Sequence, residues 1–110
     1  MIIKMRLNQS ERARLTALAQ HYELPVSHAG FCMAIDNAIA EMTGQPARWG
    51  REDAPVFEPD APPDYLNLVV NGETEDALAD IARRAGTAGA PWKETVFFCV
   101  HTVLLEAANA

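Results

Sequence analysis

One short pattern occurs twice in this chain of 110 residues, and the repeat constrains the fold more than any other feature. Apolar and polar residues alternate over 2–8 and lead into a helical spacing, and the same order returns 63 positions later, over 65–71. The pair Phe31-Cys32 returns as Phe98-Cys99, which is 67 positions on. A strand followed by two helices cannot bury its own apolar face, so two copies should pack together. We predict a single compact domain over 1–110, with a first β-α-α unit at 2–42, a Pro-rich acidic linker at 43–64 and a second β-α-α unit at 65–107.

The first half begins with a predicted strand. Strict alternation over 2–8 is typical of a strand with one buried face, and Lys4, Arg6 and Asn8 would project from its other face. The inward residues are Ile3, Met5 and Leu7.

Two helices are predicted to follow this strand. Asn8 with Glu11 fits a capping box for a helix over about 9–22, and Ser10 is a competing cap. Pro25 ends that helix, and Ser27 is placed to cap a longer one that stops near Gly44.

The second half repeats this order. We predict a strand over 65–71, a helix opened by Thr74 that ends around Gly86, and a last helix with Pro91 in its first turn. Residues 96–105 would suit a strand by propensity, but the repeat favours a helix there.

Composition and motifs indicate a cytoplasmic protein without catalytic function. No apolar run approaches the ~20 residues that cross a bilayer, and the amino terminus lacks the pattern of a signal peptide.

Cys32 and Cys99 lie in apolar stretches and are expected to be buried thiols. His28 and Cys32 have a metal-binding spacing but no third ligand, so we expect no metal and no cofactor. The motifs of phosphate-binding and nucleophilic enzymes are missing, which argues against an enzyme.

The net charge of −6 is distributed unevenly along the chain. Residues 1–50 hold five Lys or Arg against four acids, a net of +1, whereas 51–110 hold four against eleven, a net of −7. The strand cations lie in the first copy, so any face that binds nucleic acid would be built mainly by that copy.

The arrangement resembles the ribbon-helix-helix fold of the MetJ/Arc type, here in tandem within one chain. The resemblance covers about 80 of the 110 residues and rests on the segment Ile3-Lys4-Met5-Arg6-Leu7-Asn8, the turn Glu23-Leu24-Pro25-Val26-Ser27 and the apolar helix that follows. It implies a mostly α fold with a short two-stranded antiparallel β-ribbon, in which the two β-α-α repeats form one intertwined domain. In that family the outward side chains of the ribbon enter the major groove of DNA.

The resemblance also implies a set of DNA-contacting residues. Outward strand side chains would read bases, and the start of the second helix would hold a phosphate. The second copy departs from this pattern, because Val69 replaces a cation and Pro91 removes a backbone N–H. The implied residues are Lys4, Arg6, Asn8, Ser27, Asn67 and Asn71.

Two functional hypotheses remain open at this point. The first is a small DNA-binding regulator, an autorepressor or antitoxin-like protein whose partner is double-stranded DNA and which could act as a homodimer. The second is an acidic inhibitor of the kind that phages and plasmids encode, anti-CRISPR proteins among them, which blocks a basic site on a nucleic-acid-binding protein. If Asp60 or Asp64 lay beside Lys4 and Arg6, the first hypothesis would fail on electrostatic grounds. The acidic surface of the second would comprise Asp60, Asp64, Glu73, Glu75, Asp76 and Asp80.

Overall fold

The computed structural model describes residues 1–54 and 63–110, and in that part the chain is mostly helical with one two-stranded antiparallel sheet, as predicted. Asp60, one of the residues of the predicted acidic surface, lies outside the described residues. Over the described ranges, no helix has both the length and the apolar character needed to cross a membrane. The elements in chain order are β1 (Ile2–Arg6), α1 (Gln9–His21), α2 (His28–Met42), a 3₁₀ turn (Arg51–Asp53), β2 (Tyr65–Val69), α3 (Gly72–Ala85) and α4 (Trp92–Ala108).

The two strands pair in a register that places Lys4 opposite Asn67. Backbone bonds run from the N–H of Leu7 to Asp64 O over 2.8 Å and from the N–H of Val70 to Met1 O over 2.9 Å. Bonded and non-bonded pairs alternate along an antiparallel ladder, so Lys4 and Asn67 form a non-bonded pair. Such pairs bring their Cα atoms to about 4.5 Å, which places the two side chains next to each other.

The inward face of this ribbon is buried in a core shared by both halves of the chain. Alternate strand residues are at most 5 % exposed, as the period of two predicts. Helix α2 contacts β2, and α4 contacts β1, so each long helix packs on the strand of the other half. Helix α2 also packs on α4. The buried strand residues are Ile3, Met5, Leu66 and Leu68, and Leu7 and Val70, just beyond the ends of β1 and β2, continue the same buried face.

The helix starts of the first half depend on side-chain caps. The Asn8 side chain accepts from the N–H of Glu11 over 2.8 Å, and the Glu11 carboxylate accepts from the N–H of Asn8 over 2.9 Å, so Asn8 rather than Ser10 is the cap. The Ser27 hydroxyl accepts from the N–H of Gly30 over 3.0 Å and caps α2 as predicted. A Cβ at Gly30 would overlap the carbonyl oxygen of Pro25, so this turn requires glycine.

Three boundaries of the second half differ from the sequence prediction. Strand β2 ends at Val69 instead of Asn71, although the Val70 N–H still donates to Met1 O over 2.9 Å. Helix α3 begins at Gly72, two residues before Thr74, and Asn71 occupies its cap position. Pro91 precedes the first turn of α4 and is its cap residue. Residues 96–105 lie within α4, so the repeat identified the right element there.

The chain after α2 is held against that helix by one buried amide. The Asn37 side chain accepts from the N–H groups of Arg48 and Trp49 over 2.8 and 2.7 Å and donates to Trp49 O over 2.8 Å. The Trp49 indole N–H donates to Asp36 over 2.7 Å, and the Arg48 guanidinium donates to the hydroxyl of Thr74 over 2.7 Å. These bonds attach the start of the linker to α2 on one side and to α3 on the other.

Candidate nucleic-acid interface

The outward face of the ribbon carries six side chains in three cross-strand pairs. At one end Ile2 and Val69 face each other and are 58 % and 67 % exposed. Lys4 and Asn67 form the central pair, and both are exposed. At the other end exposed Arg6 faces Tyr65, which is 43 % exposed. The face is therefore apolar at one end and cationic at the other.

The cationic end continues onto α1. Arg6, Arg12, Asp64 and Tyr65 line an open cleft of about 410 Å³. The Arg12 guanidinium pairs with the Asp64 carboxylate, whose side chain is 78 % exposed. An acid therefore does lie near Arg6, but it is bonded to Arg12. The cleft retains an excess of positive charge, because two guanidinium groups face one carboxylate.

Lys93 of α4 joins this end of the ribbon. Its ammonium donates to the carbonyl oxygen of Arg6 over 2.7 Å and lies 2.8 Å from the Glu11 carboxylate. Burial raises the pKa of the Glu11 carboxyl, but the bonds from the Asn8 N–H and from Lys93 outweigh it and hold that pKa below its ordinary value. Sequence reasoning did not single out Lys93, which carries no motif and lies 87 residues from Arg6.

The free edge of β2 is closed by the first turns of α2. The N–H of Asn67 donates to Nε2 of His28 over 3.2 Å, and the Cys32 thiol donates to Asn67 O over 3.7 Å. Burial, followed by the charge of Asp36, raises the pKa of the Cys32 thiol to about 11. This thiol is consequently neutral at physiological pH and serves as a weak hydrogen-bond donor. The contacts leave the Asn67 side chain on the exposed face of the ribbon.

The other predicted DNA-contacting residues have local structural roles. Asn8 lies beyond β1, and its side-chain oxygen caps α1. Ser27 is 4 % exposed, its hydroxyl accepts from Gly30 N–H, and its own N–H donates to Pro25 O. Asn71 is exposed and makes no side-chain bond to α3. The ribbon face itself is therefore built from Lys4, Arg6 and Asn67 among the predicted residues, together with the apolar side chains described above.

Most of the acids of the predicted acidic surface have a basic neighbour. Asp80 is bonded to Arg83 and Arg84 at 3.2 and 2.9 Å, as Asp64 is to Arg12. The Glu75 carboxylate lies 3.9 Å from the amino-terminal nitrogen. Exposed Glu73 and Asp76 line a cleft that also contains Arg48. These acids lie on α3 and at the start of β2, so the described members are divided between two regions.

The described residues contain no group of three or more His, Cys, Asp or Glu side chains that could hold a metal ion. His28 and Cys32 do lie close together, with Nδ1 and Sγ 3.9 Å apart. His28 uses Nε2 to accept from Asn67, so the pair is part of the contact between α2 and the ribbon.

No family model matches the chain, and neither a curated protein nor a solved structure matches it.

Proposed function

We propose that this chain is a cytoplasmic, non-enzymatic DNA-binding regulator, built as an intertwined ribbon-helix-helix-like domain, that inserts its β-ribbon into the major groove. The intertwined arrangement is supported by the exchange of contacts, in which α2 packs on β2 and α4 packs on β1. The tandem arrangement is supported by the register, because Lys4 pairs with the residue 63 positions later, which is the offset of the sequence repeat.

The observation that carries the proposal is the outward placement of Lys4, Arg6 and Asn67 on a ribbon whose other face is buried. A two-stranded ribbon fits the major groove, where Lys and Arg bond guanine and Asn bonds adenine. The cap of α1 and the contact of Lys93 with Arg6 O hold the cationic end in place. Rigid support of this kind lets side chains reach base edges at little further cost in entropy.

Phosphate contacts would come from cations beside the ribbon. Arg12 lines the cleft at the cationic end, where it is bonded to Asp64, and exposed Arg14 lies two residues further along α1. A single chain with about two to four phosphate contacts should show a salt slope between about −2 and −4. So few phosphate contacts give only a modest affinity for DNA, so we propose that two chains bind together. Phe98 and Leu105 of α4 are 39 % and 51 % exposed and supply an apolar surface for that association.

The alternative function, an acidic protein that blocks a basic site on a partner, has weaker support. A nucleic-acid mimic needs uncompensated carboxylates on one continuous surface. Asp64 and Asp80 are each bonded to arginine within the chain, and Asp64 lies at the ribbon rather than on α3. Glu73 and Asp76 remain as a small exposed acidic pair beside Arg48.

The direct test is fluorescence anisotropy with labelled duplex DNA at two salt concentrations. The probes are the region upstream of the protein's own gene and a pool of random-sequence duplexes. We expect binding that weakens with salt, and a loss of at least about tenfold in the Lys4→Ala/Arg6→Ala variant.

The matched control is Arg83→Ala/Arg84→Ala, which removes the same number of charges from α3, where both arginines are bonded to Asp80. This variant should bind DNA nearly as well as the wild type. Equal losses in the two variants would mean that only net charge matters, and no binding at low salt would refute the proposed function.

A further inference from the structure

The pairing of the two strands is symmetric about its centre, as in proteins that bind palindromic DNA, but the side chains at the two ends of the ribbon differ. A two-fold operation about the Lys4–Asn67 pair exchanges the strands and places Arg6 on Val69 and Ile2 on Tyr65. A chain that reads a palindrome would have the same side chains at both ends of its ribbon. Here one end has Arg6 with Tyr65, and the other has Ile2 with Val69.

The exposed apolar end is unusual for a surface ribbon. Ile2 and Val69 are more exposed than any other large apolar side chains of the described residues, at 58 % and 67 %, and they face each other across the strands. Met1, which is 39 % exposed, extends the same end. In the major groove the one apolar group on a base edge is the C5-methyl group of thymine. Guanine, which Arg bonds through O6 and N7, has no such group.

Resting on the proposed function, we infer that the ribbon reads a non-palindromic site with a fixed direction, in which Ile2 and Val69 contact thymine methyl groups at one end and Arg6 bonds guanine at the other. From Ile2 to Arg6 the strand rises about 13 Å, at about 3.3 Å per residue. This length corresponds to about four base pairs at 3.4 Å each. Lys4 and Asn67 lie midway and contact the pairs between the two ends.

The side chains beside the two ends of the ribbon also differ, with more cations beside the Arg6 end and more apolar groups beside the Val69 end. Arg12 and Lys93 both lie at the Arg6 end, where they bond Asp64 and Glu11. At the other end, the cleft beside Val69 is lined mainly by apolar side chains, Met33 and Trp49 among them, and also by the polar His28 and Asp36. The apolar end thus adjoins a mainly apolar wall that contains one carboxylate, whereas the cationic end adjoins two further cations, each paired with an acid.

The test begins with selection of bound sequences from a random duplex library. The half-site bound by one ribbon should be non-palindromic, with thymine at one end and guanine about four base pairs away. Two chains bound together would select two such half-sites. Each thymine in that site is then replaced by deoxyuridine, which removes only the methyl group and keeps base pairing. Each contacted methyl should be worth about fourfold in affinity, the equivalent of ~0.8 kcal/mol.

Two variants assign the contact to the apolar end. In Ile2→Ser/Val69→Ser the thymine-to-deoxyuridine effect should disappear while the guanine preference remains. In Ile2→Tyr/Val69→Arg both ends of the ribbon carry the same side chains, and the selected half-site should become palindromic with guanine at each end. All four substitutions fall on exposed positions, and circular dichroism would verify that each variant is folded.

The outcomes separate this inference from the proposed function. A palindromic wild-type half-site, or equal binding of thymine and deoxyuridine duplexes, would overturn the inference and leave DNA binding in place. No DNA binding by the folded wild-type chain would overturn the proposed function and the inference together.

Discussion

Lys4 of β1 lies directly opposite Asn67 of β2, and the two are separated by 63 residues, which is the spacing of the sequence repeat. Positions that are equivalent in the proposed repeat therefore meet at the centre of the ribbon. The inward neighbours of both residues are buried, which directs Lys4 and Asn67 outward. This pair is the centre of the surface that we propose for DNA binding.

Asp64 should weaken DNA binding, because its exposed carboxylate lies next to the cationic end of the ribbon, bonded to Arg12. We expect Asp64→Asn to raise DNA affinity by about two- to fivefold at low salt, with the gain shrinking as salt screens it. Anisotropy titrations measure this change.

Asp80→Asn is the matched control, since it removes an equally charged group that is bonded to Arg83 and Arg84 on α3. It should have little effect on affinity. A loss of affinity in Asp64→Asn would show that its pair with Arg12 supports the binding surface instead of opposing DNA.

Gly30 should resist replacement by alanine, although alanine favours helices. In the first turn of α2 an added Cβ would overlap the Pro25 carbonyl oxygen, which is backbone and cannot rotate away. We expect Gly30→Ala to lower the free energy of unfolding by about 1–3 kcal/mol, as overpacking in a core does. Urea denaturation measures the change, and a gain in stability would contradict the close approach of α2 to residue 25.

Asn37 should be the main attachment of the linker to α2. Its fully buried amide makes three hydrogen bonds to the backbone of Arg48 and Trp49. Replacement by alanine leaves those groups without partners, so Asn37→Ala should cost about 2–4 kcal/mol of stability. It should also increase the exposure of Trp49, seen as a red shift of its fluorescence. The control is Asn71→Ala, because exposed Asn71 makes no side-chain cap bond; similar losses in both variants would argue against the attachment.

The stability supplied by Glu11 should depend on pH in the acidic range. Its carboxyl has a pKa below the ordinary value, because bonds from the Asn8 N–H and from Lys93 outweigh the effect of burial. A carboxyl with a lowered folded-state pKa contributes stability that is fully present above its unfolded pKa of about 4.3 and is lost as pH falls through the folded value. Urea denaturation should show wild type more stable than Glu11→Gln at about pH 6, and the difference should fall below about pH 4. A constant difference across this range would contradict the role of the Glu11 charge.

The local sequence predicted much of this fold because the deciding interactions are local. Alternation identified both strands, and the Asn8 and Ser27 caps were found from spacing alone. The repeat resolved the ambiguous segment 96–105 as helix. Alternation and capping depend on residues within a few positions of one another, so periodicity and capping rules are sufficient for them. The assignment of 96–105 needed the repeat, which compares segments 67 positions apart.

The remaining features depend on contacts between distant residues. Asn37 gave no signal beyond a polar residue in an apolar helix, because its partners lie 11 and 12 residues away in an irregular segment. Lys93 reaches Arg6 across 87 residues, and Arg12 reaches Asp64 across 52. Sequence patterns place charges on faces, whereas the pairing of those charges depends on tertiary packing.

The most direct test of the proposed DNA-binding surface is a map of amide chemical shifts, recorded by NMR as a duplex of about two helical turns is added at low salt. We expect the largest changes on Ile2–Arg6 and Tyr65–Val69, with smaller changes in the first turns of α1 and little change in α3. Changes concentrated on α3 and α4 with an unperturbed ribbon, or no changes at all, would contradict it.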